Sequence, residues 1–164
     1  MRLIACCLAA AVMPLPGCGF VVVHSAKKLY SEYTKEEREV DLALSRYRAL
    51  LVRGDFDAAA DMFDPVGAEL SRDGRAPVVG RDAIRAFLKS SADRRIVEFT
   101  VTVTSTSASG AKASQQGTYR QKFVPPDGRS TVDEGAFEAE WSQQGKGNWL
   151  LRRMHTTTKV AGEG

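Results

Sequence analysis
Cysteine is absent after residue 18: Cys6, Cys7 and Cys18 all fall in one apolar N-terminal stretch. A domain built from the rest of the chain has no disulfide, no thiol nucleophile and no cysteine metal site. Histidine is as scarce, with His24 near the start and His155 near the end. One histidine inside a domain, with no carboxylate–histidine spacing around it, gives no metal-binding pattern. No serine sits in a Gly-x-Ser-x-Gly elbow, and phosphate loops and dinucleotide fingerprints are missing, so no cofactor is expected. No basic block is interleaved with aromatics, and 23 Lys+Arg stand against 20 Asp+Glu. That balance argues against nucleic acid as a partner.

What the N-terminus does contain is an address. Arg2 is followed by the apolar run Leu3 to Val12, about the length of an export-signal core. It is too short for a bilayer, which needs about 20 apolar residues. Leu15-Pro16-Gly17-Cys18 looks like a bacterial lipobox, with cleavage before Cys18 and lipid on its sulfur. The expectation is a signal peptide over 1–17, a lipidated tether over 18–36 and a bacterial cell-envelope location. Several acyl chains at roughly 0.8 kcal/mol per buried methylene would hold such a protein on the membrane. Two rivals stand beside it. Plain secretion with cleavage after Ala26 would put His24 where a small residue is wanted. An uncleaved anchor running on through Phe20–Val23 would be broken by Pro14, Pro16, Gly17 and Gly19.

Without Arg2, 22 Lys+Arg face 20 Asp+Glu, and a hydrophobic content of 43% supports a real core in one domain over residues 37–158. Thr34 and Glu37 form a candidate capping box. Val40, Leu44, Tyr47 and Leu51 then share one helical face, ended by Gly54. Asp55 is placed to cap a short helix, Phe56 to Phe63, stopped by Asp64-Pro65. Strands near 68–72 and 77–79 flank a turn at Asp73-Gly74, and a third helix follows Gly80 with Ile84, Phe87 and Leu88 inward. Beyond Arg94 the pattern is strand-like. Val97, Phe99, Val101 and Val103 alternate with polar residues, and a turn is expected over Ser105–Gly110. Further strands are read at 112–124, 131–143 and 149–158, with residues 159–164 a tail. Three helices followed by an antiparallel meander define an α+β domain, its helices packed on one face of a curved sheet.

That order, with Arg46-Tyr47, Gly54-Asp55, Met62-Phe63, Gly80-Arg81-Asp82-Ala83-Ile84 and Asn148-Trp149-Leu150-Leu151, resembles the cone-shaped superfamily of nuclear transport factor two, SnoaL-like cyclases and ketosteroid isomerases. The resemblance covers roughly residues 37–158. It implies a strongly curved sheet around a central apolar cavity, used for catalysis in some members and for binding or dimer contact in others. The isomerase branch needs a carboxylate base and two acidic donors. Tyr47, seven residues before Gly54, matches its donor tyrosine. The base position falls on Ser71 and the second donor near Phe137, and neither side chain can do that work. Asp73, two residues on from Ser71, belongs more naturally to its turn.

The pocket is expected to be lined by Tyr47, Phe63, Tyr119, Trp141, Arg153 and His155. Tyr47 reads either as core or as a ligand contact. His155, in line with Trp149, Leu151 and Arg153, reads as structural or as a proton-transfer group, and Arg153 as a cross-strand partner of Glu138 or Glu140 or as an anion contact. Three functions remain open. One is a non-catalytic, lipid-anchored domain binding a small hydrophobic ligand or a protein. The second is a SnoaL-like enzyme using His155 with Tyr47 or Asp61 for acid–base chemistry, which requires His155 and at least one partner to share a concave pocket. The third is a structural homodimerisation module whose cavity is filled by its own side chains.

Overall fold
The computed structural model describes residues 33–159. Cys18, the leader, most of the tether and the last residues of the tail therefore lie outside the described residues. Helix α1 (Lys35–Arg53) starts at the capping box: the Thr34 hydroxyl accepts from the Glu37 N–H, and the Glu37 carboxylate accepts from the Thr34 N–H. It begins two residues before the expected domain start, and Val40, Leu44, Tyr47 and Leu51 are buried along one face. Gly54 ends it at φ 72°, a left-handed geometry that glycine adopts without a Cβ clash. Asp55 caps α2 (Phe56–Asp61) by accepting from the Ala58 N–H. This helix stops short of Phe63, which is pulled into a bridge with Leu151.

Strands β1 (Glu69–Arg72) and β2 (Val78–Val79) form a small hairpin, followed by α3 (Arg81–Ser90). Four long strands complete the domain: β3 (Arg95–Ser109), β4 (Lys112–Val124), β5 (Thr131–Gln143) and β6 (Trp149–Thr158). The single curved, unclosed sheet has the order β2-β1-β6-β5-β4-β3, antiparallel except where β1 runs parallel to β6. The helices cover one face, with α1 against β3 and β6 and α2 bridging α1 and α3. The architecture is the expected α+β one.

Bulges decide which residues look inward. The β3–β4 register shifts between Ile96 and Glu98, so Val97 is displaced to a 39% exposed position while Ile96 and Phe99 turn to the core. The simple Val97–Val103 alternation is corrected at its first member. A second shift between Val103 and Ser105 carries β3 on to Ser109, through the stretch read as a turn. There Thr106 points inward and donates to the Asp41 carboxylate, so its hydroxyl is satisfied in a buried place. A third bulge falls in β6, where Trp141 pairs with Leu151 but Glu140 pairs with Arg153, leaving Arg152 as the extra residue.

Candidate functional site
Between α1, α3 and the concave face of the sheet lies an apolar cavity of about 200 Å³. The inward phase of each element builds its wall: Leu44, Tyr47 and Leu51 from α1, Ile96, Phe99 and Val101 from β3, Phe137 from β5 and Met154 from β6. Engineered apolar cavities of roughly 150 Å³ accept benzene. This one therefore has the size of a single substituted ring, below the roughly 300 Å³ where drug-sized ligands begin. It is open to solvent, and exposed Arg75, Phe87 and Arg94 stand at its mouth.

Polar groups converge at two depths. The Tyr47 side chain is 5% exposed, its ring edge-on to Phe63 with centroids 5.6 Å apart. Its hydroxyl has no hydrogen-bond partner among the described residues, and burial pushes its pKa well above the usual tyrosine value. It is a neutral donor at any physiological pH. Nearer the rim, Asp133 is held by Arg72 and lies 3.5 Å from the Tyr119 hydroxyl, which also reaches the Thr157 carbonyl at 3.4 Å. Burial raises the Tyr119 pKa, and the Asp133 carboxylate adds to the rise. Arg72 also donates to Thr158, so the Arg72–Asp133 pair ties the β1 edge across to β5 and the end of β6.

Of the residues expected in the pocket, Tyr47 and Tyr119 line it and four others do not. Phe63 is fully buried behind Tyr47. Trp141 is packed in the core with its indole N–H unpartnered among the described residues. Arg153 and His155 are turned to the outer face by the extra residue Arg152, because a bulge inverts the strand's alternation. Trp149 and Leu151 point inward before it and Met154 and Thr156 after it, so the four-residue line through Arg153 and His155 is broken. Arg153 contacts Glu140 at 3.2 Å and Glu69 at 3.7 Å, one of the two cross-strand pairings expected of it.

His155 is half-buried on that outer face. Its Nδ1 lies 3.0 Å from the Ser71 Oγ and its Nε2 3.0 Å from the Asp73 carboxylate. Ser71, opposite His155 in the parallel ladder, contributes to the cavity wall while its hydroxyl meets the histidine. This chain of contacts fastens the short strand β1 to β6. The expected partner Asp61 is exposed, ion-paired with Arg85 at 2.7 Å, and borders a separate polar groove between α1 and the β5–β6 loop. The structure thus does not bring His155, Tyr47 and Asp61 together. Among the described residues, no group of three or more His, Cys, Asp or Glu is placed to hold a metal ion.

Sequence reading missed Arg72, Arg75, Arg94 and Asp133. Asp133 had a legible signal: it occupies the inward phase of β5 with Gly135, Phe137, Ala139 and Trp141, where a carboxylate needs a partner. Arg72 ends the four-residue strand β1, and Arg75 and Arg94 lie in a turn and in the α3–β3 connection, where no periodicity assigns a direction.

A family model described as a SnoaL-like domain matches residues 44–146. No functionally curated protein is detectably similar in sequence. Among solved structures, a ketosteroid isomerase-like protein from Erwinia carotovora atroseptica superposes with TM-score 0.68 at 16% identity, covering 77% of this chain and 98% of that one. A nuclear transport factor 2-like superfamily protein from Salmonella enterica serovar Typhimurium gives 0.63 at 16% identity, covering 79% and 96%. An NTF2-like protein with a cystatin-like fold from Novosphingobium aromaticivorans gives 0.61 at 16% identity, covering 79% and 85%. At these identities the likeness establishes the fold, and function has to come from the site.

Proposed function
The chain belongs to the SnoaL-like domain family, and from that premise we propose that it is a lipid-anchored cell-envelope binding domain whose cavity takes a small apolar molecule about one ring in size. The observation that carries the reading is the open apolar cavity lined by Tyr47, whose hydroxyl has no hydrogen-bond partner among the described residues. A core tyrosine that needed its hydroxyl for packing would have found a partner, so this donor is available to a ligand acceptor. Catalysis of the isomerase kind is not supported. By an ungapped count the base position falls on Ser71, whose hydroxyl is engaged by His155, and the second-donor position falls near Phe137. Among the described residues Asp133 is the only carboxylate in the wall, and it is already engaged by Arg72. A cavity of about 200 Å³ also disfavours a polycyclic substrate.

The test uses the full-length protein in lipid nanodiscs, titrated with ethylbenzene by ligand-observed NMR against empty nanodiscs. Saturable binding that Val101→Phe abolishes, with the fold intact by circular dichroism, supports the reading. Binding indifferent to that substitution overturns it. For the anchor, fatty-acid label retained by Cys18→Ala in the membrane fraction would defeat lipidation at that residue.

A further inference from the structure
We propose that the natural ligand of this cavity is a carboxylic acid, with its apolar body inside and its carboxylate held at the mouth by Arg75 and Arg94. The inference rests on the binding reading above and names the ligand's charge. Among the described residues, three guanidinium groups and one carboxylate line the cavity, and the carboxylate, Asp133, is taken by Arg72. Neither Arg75 nor Arg94 has an ion-pair partner among the described residues, and both are exposed where the cavity opens.

The local chain geometry explains why Arg75 is left over. Residues 72–75 form a turn closed by the Arg75 N–H to the Arg72 carbonyl, with Gly74 at φ 72°. The turn separates its charges: Asp73 goes to His155 on the outer face, while Arg72 and Arg75 reach the cavity. Across the opening, Arg94 follows the end of α3 and places its guanidinium 4.9 Å from the centre of the Phe123 ring. That stacking orients the planar group over an apolar wall while leaving its edge donors free.

The α3 C-terminus at the same rim carries a partial negative charge of about half a unit, less than the two guanidinium groups oppose. A carboxylate suits a guanidinium fork because two parallel hydrogen bonds match its planar geometry. A ring with a short acid chain would bury the ring among Leu44, Val101 and Met154 and leave the charge in water-accessible contact with the arginines.

The experiment compares 3-phenylpropanoate, 3-phenylpropan-1-ol and 3-phenylpropylamine on the full-length protein in nanodiscs, wild type against an Arg75→Gln/Arg94→Gln double variant. Both sites are exposed, so the fold is expected to survive. The acid should bind the variant about 5–20-fold more weakly, the alcohol should change less than about 2-fold, and the amine should gain. The acid's advantage should shrink between about 20 mM and 300 mM salt as the charges are screened. If the alcohol binds wild type and the acid is unaffected by the double substitution, or acid and alcohol lose equally, the carboxylate assignment is wrong while the cavity reading stands. If no arm binds wild type, both fall.

Discussion

Removing one oxygen separates a ligand-facing tyrosine from a structural one. In Tyr47→Phe the ring keeps its 5.6 Å edge contact with Phe63 and its place in the wall, and only a hydroxyl without a partner among the described residues is lost. A structural hydrogen bond would cost about 0.5–1.5 kcal/mol when deleted. With none to lose, the stability change should lie between zero and a gain of about 1 kcal/mol, because a poorly solvated hydroxyl is removed. For a domain of this size, 1 kcal/mol moves Tm by about 3–5 °C. Tyr47→Ala, by contrast, should cost about 3–5 kcal/mol through the lost ring. Binding should respond in the opposite sense. Acetophenone, whose carbonyl can accept from Tyr47, should weaken about 3–10-fold in Tyr47→Phe, and its hydrocarbon counterpart ethylbenzene should be unchanged or slightly tighter. The assays are thermal unfolding and calorimetric titration of the full-length protein. A drop of more than about 1 kcal/mol in stability with acetophenone affinity unchanged would refute the free-donor reasoning.

Asp64 is 4% exposed. Burial alone would raise its pKa, but the Ser142 hydroxyl, the Val66 N–H and Arg152 outweigh that and hold it below the ordinary carboxylate value. A lowered folded pKa adds stability above about pH 4 and loses it as pH falls through the folded value. Asp64→Asn should therefore cost about 1 kcal/mol at neutral pH and flatten the acid limb of a stability–pH curve below about pH 4. A Cβ at Gly135 would run into the Thr157 carbonyl of the neighbouring strand, and at Gly117 into the Thr102 carbonyl. Gly135→Ala should thus destabilise by about 3 kcal/mol or more, or fail to fold, in denaturant melts, whereas an exposed Ser109→Ala control on β3 should change stability by less than about 0.5 kcal/mol. His155→Gln should loosen the β1 edge by about 1 kcal/mol and leave ethylbenzene affinity within 2-fold. A loss of binding there would place the histidine in the ligand's path.

The start of α1, the Gly54 stop and the span of β5 were legible because each rests on local chemistry: a capping box, a left-handed glycine, unbroken alternation. Long-range consequences of bulges were not. Nothing within residues 149–158 marks Arg152 as the extra residue, since that follows from pairing with β5, yet it alone reverses Arg153 and His155. Val97 was misplaced for the same reason. Tyr47 and Tyr119 were found in the wall because a helical face and a strand phase are local properties. The charged rim escaped because turn residues inherit their direction from the strands they join, and Asp133 was passed over although its phase was readable.

The most direct measurement is the position of bound ethylbenzene on the full-length protein, from intermolecular NOEs to methyl-labelled side chains. Binding in the proposed cavity predicts contacts to Leu44, Val101 and Met154, all of them lining residues, and their loss in Val101→Phe. Contacts confined to residues outside the cavity, such as Leu42 or Val66 on the surface, would contradict it.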